Sequence, residues 1–200
     1  MNGFHTYSFD EIAQRHDLTA HPLLEVVEHF GEADDFWIAG GAVRAFLLNL
    51  PISTDVDFFF RTPEAFDRFV AKHAPDKAKR LAETEHHVTF KATVGDKNYK
   101  VQAIRIGYYE SVEACLDSFD FTICQLGVHK GHLYAGQYAL WDLGRKKLAL
   151  HKLTYGAATV RRLLKYSTQG FTACQGCLVA ILRAVGENPA VINSDVQYVD

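Results

Sequence analysis

Asp55 and Asp57 stand two residues apart in "DVDFFF", a stretch otherwise built of valine and phenylalanine. Aspartate is a poor strand former and is seldom buried without a partner, so this pair needs compensation. On a strand, residues i and i+2 share a face, which brings the two carboxylates within a few ångströms of each other. Carboxylates that close repel, and at neutral pH a divalent cation is the simplest counterweight. Mg²⁺ takes carboxylate and phosphate oxygens together, so the chemistry suggested is phosphoryl transfer. The competing reading is plain: both aspartates at an exposed strand start, with no ligand.

The residues upstream suit the same chemistry. In "WIAGGAVRAFLLNL" an apolar run stops at Gly40 and Gly41 and a helix begins. A double glycine by itself marks a tight strand-to-helix turn. A helix that starts there also presents unpaired N–H groups and the positive end of its dipole, which suits a phosphate. Arg44 falls in the first turn, where the dipole disfavours a cation, and so points to a negative ligand close by. A solvated or carboxylate-paired arginine is the alternative.

These residues need elements to hold them. Residues 8–30 read as helical, with Ser8 as cap, acids in the first turn and Leu23, Leu24, Val27 and Phe30 at helical spacing. A short strand over 36–39 leads into the glycine turn, and the helix after it runs to Pro51. Residues 55–60 form a second strand, and Thr62-Pro63-Glu64 opens another helix. Residues 83–106 read as a hairpin turning at Gly95-Asp96. A short helix capped by Ser111, a strand over 119–128 and an edge strand over 131–139 follow. Residues 154–185 are mostly helical, with a break near 167–170. Short turns between the later strands rule out parallel crossovers there. The expected fold is α+β: a mixed, largely antiparallel sheet flanked by helices, with a helical C-terminal end. Its organisation is a unit over 1–150, a helical segment over 151–186 packed on it, and a polar tail over 187–200.

Composition limits the partners. Of 200 residues, 48% are hydrophobic, enough for a proper core. The 21 Lys plus Arg against 24 Asp plus Glu give a formal charge of −3, so strong non-specific nucleic-acid binding is not expected. No signal pattern or long apolar run is present, which predicts a cytoplasmic protein without membrane contact. Cys174 and Cys177 form one C-x-x-C, but a zinc site usually needs a second pair or added histidines, so both read as small helix residues. His86 and His87 would point to opposite faces of a strand, and His129 and His132 bracket a turn, so these four stay outside the candidate site. No G-x-S-x-G, P-loop or H-E-x-x-H is present.

"GGAVRAFL" followed by "DVDFFF" resembles the signature of the DNA polymerase beta-like nucleotidyltransferase superfamily, in particular the head domain of poly(A) polymerases and CCA-adding enzymes. The resemblance covers about twenty residues in the first third of the chain, with order and spacing right. It implies a nucleotidyltransferase fold in which Gly40 and Gly41 pack against a nucleoside triphosphate and Asp55 and Asp57 ligate two Mg²⁺ (or Mn²⁺) ions. It also implies transfer of a nucleoside monophosphate, with inversion at the α-phosphorus, to a hydroxyl on RNA, protein or a small molecule.

Relatives usually add a third carboxylate from a neighbouring strand. In "KVQAIRI" Gln102 occupies the slot where that acid is often found, which departs from the pattern. "SFDFTICQLG" resembles strands of short superfamily members, some of them viral, and makes Asp120 the preferred third acid, with Asp117 in reserve. Ala45 stands where CCA-adding and poly(A) relatives carry aspartate. "TVRRLLKYSTQGF" resembles the helix after the catalytic sheet, where Arg161, Arg162 and Lys165 would contact the triphosphate or an acceptor backbone. Tyr166 would stack on a base or pack internally. The long helical regions of the tRNA-tailing relatives have little room after Asp120. The competing function is a non-catalytic nucleotide-binding or partner-binding domain, or a toxin–antitoxin type module, that keeps the fold.

Overall fold

The computed structural model describes residues 3–187 except 32 and 54; most of the expected tail over 187–200 lies outside the described residues. The chain opens with strand β1 (Phe4–Ser8), and the Ser8 hydroxyl accepts from the Glu11 N–H to cap helix α1 (Phe9–Arg15). The single helix expected over 8–30 is therefore two. The chain reverses at Asp17, whose φ is +56°, and α2 (Pro22–Phe30) restarts with Pro22 in its first turn. His21 caps α2 by accepting from the Leu23 N–H, while its other ring nitrogen meets the Leu50 carbonyl.

Strand β2 (Phe36–Ala39), helix α3 (Gly41–Leu47), strand β3 (Val56–Phe60) and helix α4 (Pro63–His73) follow as expected, although α3 ends one turn short of Pro51. After a short strand β4 (Arg80–Glu83), the hairpin is formed by β5 (His87–Val94) and β6 (Lys97–Ile104). Helix α5 (Val112–Asp117) is capped by Ser111. The strand expected over 119–128 is a strand only in its second half, β7 (Leu126–His129); residues 122–124 make a 3₁₀ turn instead. Strand β8 (His132–Gly136), helix α6 (Ala139–Gly144), strand β9 (Lys147–Leu148), helix α7 (Gly156–Thr168), strand β10 (Thr172–Ala173) and helix α8 (Gln175–Glu187) complete the chain.

Among the described residues one eight-stranded sheet runs in the order β1-β8-β7-β2-β3-β6-β5-β4. Every pairing in it is antiparallel except β3 with β6. The α+β, mostly antiparallel architecture is thus the expected one. β8 is internal rather than an edge, because β1 pairs outside it.

Strand β3 divides its side chains between two faces, as a pleated strand must. Val56, Phe58 and Phe60 are fully buried on the side covered by α2, α3 and α4. Phe59 joins Trp37, Ala39 and α5 in a smaller cluster on the other side, the side that Asp55 and Asp57 share by periodicity. Phe58 sits 4.7 Å, ring to ring, from both Phe30 and Phe69. Phe58→Ala is expected to cost about 3–5 kcal/mol in a urea melt, because no neighbour can refill an aromatic hole on a central strand.

Candidate functional site

The face of the sheet bearing Asp55 and Asp57 is the floor of a cleft of about 870 Å³. All nine residues singled out from sequence line it: Gly40, Gly41, Arg44, Asp55, Asp57, Asp120, Arg161, Arg162 and Lys165. Gly40 is the turn after β2, Gly41 and Arg44 belong to α3, and Asp55 and Asp57 stand at the start of β3. Asp120 comes from the segment between α5 and the 3₁₀ turn, and Arg161, Arg162 and Lys165 are brought over by the docking of α7.

Gly40 makes the turn possible. Its φ of +82° lies in the region that L side chains rarely adopt, and a Cβ there would point at Phe119 and the Asp57 carboxylate. No side chain caps α3. Gly40→Ala is expected to lose about 1–3 kcal/mol in thermal unfolding, since the backbone would be strained wherever the methyl found space.

Asp57 is held between competing charges. Burial, and then the neighbouring Asp55 carboxylate, push its carboxyl up to about 7, against the pull of Lys165, Arg162 and Lys100. A carboxyl half-protonated near neutrality, beside a second one, is a donor set that a divalent cation would relieve. The pair therefore fits a metal. Asp55 already meets one cation, the Lys100 ammonium, at 3.2 Å. That contact follows from register: the parallel pairing of Val56 with Val101 and Asp57 with Gln102 sets Lys100 beside Asp55. Sequence reading missed Lys100. Its signal, K-x-Q matching D-x-D in spacing, is visible only when β3 and β6 are known to be partners.

Asp120 lies in the cleft but not on a strand. Its carboxylate accepts from its neighbour's backbone, the Phe121 N–H, at 3.0 Å, from the Thr159 hydroxyl at 3.1 Å and from Arg162 Nη1 at 2.8 Å. Its carbonyl accepts from the N–H groups of His151 and Lys152. Asp120 is thereby a polar fastening point for α7. Among the described residues no group of three or more His, Cys, Asp or Glu side chains is gathered for a metal ion. Asp117, the reserve, instead pairs with His151 and Lys152.

Helix α7 presents Thr159, Arg162 and Tyr166 along one face at i, i+3 and i+7, with Lys165 beside them. Tyr166 packs rather than stacking in the open. It is buried, its hydroxyl lies 3.1 Å from Cys124 Sγ, and its ring lies 4.7 Å from the Arg44 guanidinium. Arg44 itself is buried, and its Nη1 lies 3.7 Å from Cys124 Sγ. A buried cation set against a thiol and a tyrosine, with no carboxylate among the partners described for it, suits an anionic group placed at the edge of the cleft.

The remaining candidates settle simply. His86 and His87 both border the cleft. His129 meets the Ala33 carbonyl and His132 the Lys130 carbonyl. Cys174 is exposed, Cys177 buried, and both are free thiols. No helix among the described residues is long and apolar enough to cross a membrane.

A mixed sheet carrying two acids beside a glycine turn, with a basic helix across the cleft, is the nucleotidyltransferase fold. Solved structures agree: a Thermotoga maritima CCA-adding enzyme complexed with tRNA superposes with a TM-score of 0.61 at 18% identity, covering 94% of this chain and 47% of that one. A CCA-adding enzyme with CTP gives 0.64 at 16% identity over 97% and 49%. A tRNA nucleotidyltransferase with a primer tRNA and an ATP analogue gives 0.53 at 20% identity over 82% and 49%. The chain spans about half the length of these structures. Its family is more particular: the Gabija anti-defense 2 profile matches residues 7–146, and the chain belongs to that family. Among curated proteins none matches the sequence significantly.

Proposed function

We propose that this chain is a nucleotidyltransferase that moves a nucleoside monophosphate from an NTP to a hydroxyl acceptor, and that its output acts against a Gabija defence system, the setting its family's name gives. The observation that carries the reading is the placement of Asp55 and Asp57 opposite Arg161, Arg162 and Lys165 across one nucleotide-sized cleft, with the Gly40-Gly41 turn beside them. In the reaction the acceptor oxygen bonds to the α-phosphorus as the bond to the β-phosphate bridging oxygen breaks. The acceptor's proton passes to solvent and pyrophosphate leaves.

Each residue's part follows from its place. Arg161, Arg162 and Lys165 offset the triphosphate charge and hold it against the floor. Arg44 receives a phosphate at the edge of the glycine turn. Asp55 and Asp57 hold Mg²⁺ or Mn²⁺, which when bound supplies charge neutralisation at the reacting phosphate. Asp120, proposed from sequence as a third ligand, serves here to position Arg162. Residues 1–150 form the catalytic unit, and 151–186 a helical segment packed on it, whose α7 carries the basic side chains of the cleft. The acceptor is RNA, protein or a small molecule; the solved neighbours with tRNA favour trying RNA first.

A second reading has its own support. With Gln102 beside Asp57 and Asp120 engaged by Arg162, no third acid among the described residues gathers with the pair, as a domain that binds nucleotide without turnover would have it. Incubation with each α-labelled NTP, Mn²⁺ or Mg²⁺ and lysate separates the two. Label on an acceptor with wild type, absent with Asp55→Ala/Asp57→Ala, establishes transfer. Metal-dependent NTP binding with no label anywhere establishes the binding domain.

A further inference from the structure

Lys100 has a position that the nucleotidyl-transfer reading does not require. On β6 the two residues that flank the acid pair in register are Lys100 beside Asp55 and Gln102 beside Asp57. Across the other edge of β6, Lys100 faces Lys91. Like charges directly opposite in a sheet oppose one another, so the ammonium is drawn to the Asp55 side, where the ion pair closes at 3.2 Å. The side chain of Asp55 is 17% exposed, and that of Lys100 is 43% exposed. The contact is thus partly sheltered from solvent, where a point charge is screened less than on an open surface.

The charge around the two acids is then already partly met. A carboxylate pair carries at most two negative charges, and one ammonium is in contact with it. Gln102 adds an amide, which brings no charge for a metal to use. Asp120 gives its carboxylate to Thr159 and Arg162. A nucleotide brings its own triphosphate charge, which Arg162 and Lys165 face from the wall of the cleft; at the acid pair itself Lys100 already occupies one cation's place, in contact with Asp55.

We propose that Lys100 stands in for one of the two cations expected at the acid pair, so that the cleft takes one divalent ion with its nucleotide instead of two. Lys100 is in this sense a positioning residue: it fixes Asp55 and sets the metal count. The inference rests on the nucleotide-binding reading of the cleft, and its test keeps the two apart.

Mn²⁺ is titrated into the full chain with a non-hydrolysable ATP analogue, and bound ions are counted by electron paramagnetic resonance. Wild type and Lys100→Arg are expected to hold one Mn²⁺ per nucleotide-bound chain, and Lys100→Glu two. Lys100→Met is expected to bind Mn²⁺ at least tenfold more tightly than wild type without nucleotide. Thermal melts confirm that the variants fold, as a half-exposed position allows. Two ions in wild type, or one in Lys100→Glu with unchanged affinity in Lys100→Met, overturn the proposal while leaving nucleotide binding intact. No Mn²⁺-dependent analogue binding by any form overturns the reading beneath it as well.

Discussion

Asp57→Asn should stabilise the metal-free protein at pH 8 and at the same time lower nucleotidyl transfer by about a thousandfold or more. Both effects come from one carboxyl. In the folded chain burial and Asp55 raise it from 3.8 to about 7, so the native state holds a proton that the unfolded chain releases. A raised folded value gives stability that is complete below the unfolded value and is lost as pH climbs through about 7. Without metal, unfolding free energy should therefore fall between pH 4 and pH 7 by on the order of 1 kcal/mol per unit on account of this group. Asparagine keeps the shape and has no charge to bury, so the slope flattens and the variant is the more stable form at pH 8. Urea melts from pH 5 to 8 in EDTA measure it. For wild type, Mn²⁺ affinity should move the other way, weakening about tenfold per unit below pH 7 as protons compete for the same oxygen. If the variant keeps the wild-type pH slope, Asp57 is not the group that carries it; if it keeps transfer, Asp57 is not in the chemistry.

What could be read from sequence was local. The caps at Ser8, Thr62 and Ser111, the Pro63 helix start and the Gly40-Gly41 turn depend on residues within one helical turn of each other, and each is where the pattern put it. The alternation across β3 was equally local, and it set Asp55 and Asp57 on the face opposite Val56, Phe58 and Phe60. Non-local pairing was not legible. β1 has a half-exposed pattern with no strand signature of its own, and exists because β8 offers an edge. The break between α1 and α2 has no glycine; Asp17 takes a positive φ and Pro22 restarts the helix. Asp120 was assigned to a strand because its neighbours are apolar, but those neighbours pack around a 3₁₀ turn held by a bridge from Phe121 to Leu150. Lys100 shows the limit most clearly, since its meaning depends wholly on which strand lies beside β6.

Asp120→Ala carries the second large effect, about 3 kcal/mol of stability, concentrated in α7. The substitution leaves the Thr159 hydroxyl, 1% exposed, without its acceptor, and takes the carboxylate from Arg162. Arg162 keeps part of its hydration, with its side chain 46% exposed, so the penalty stays below that of a fully buried pair. The helix that presents Arg161, Arg162 and Lys165 to the cleft would lose its polar fastening at Asp120 and keep its packing through Tyr166. Hydrogen exchange should therefore quicken across residues 156–168 while β3 and β6 keep their protection, and NTP affinity should fall with it. Asp120→Asn sharpens the assignment. An asparagine still accepts from Thr159 but gives up the charge that Arg162 meets, so α7 loosens only partly and metal affinity without nucleotide holds. If Asp120 were a ligand of the metal, the opposite pattern would follow: Mn²⁺ affinity lost in Asp120→Asn, with exchange across α7 unchanged. Pairing the variant with Arg162→Gln adds a check, because residues that act through one another give losses in NTP affinity well short of the sum of the two. Additive losses would mean that Asp120 and Arg162 serve the nucleotide separately, and the fastening role would fall.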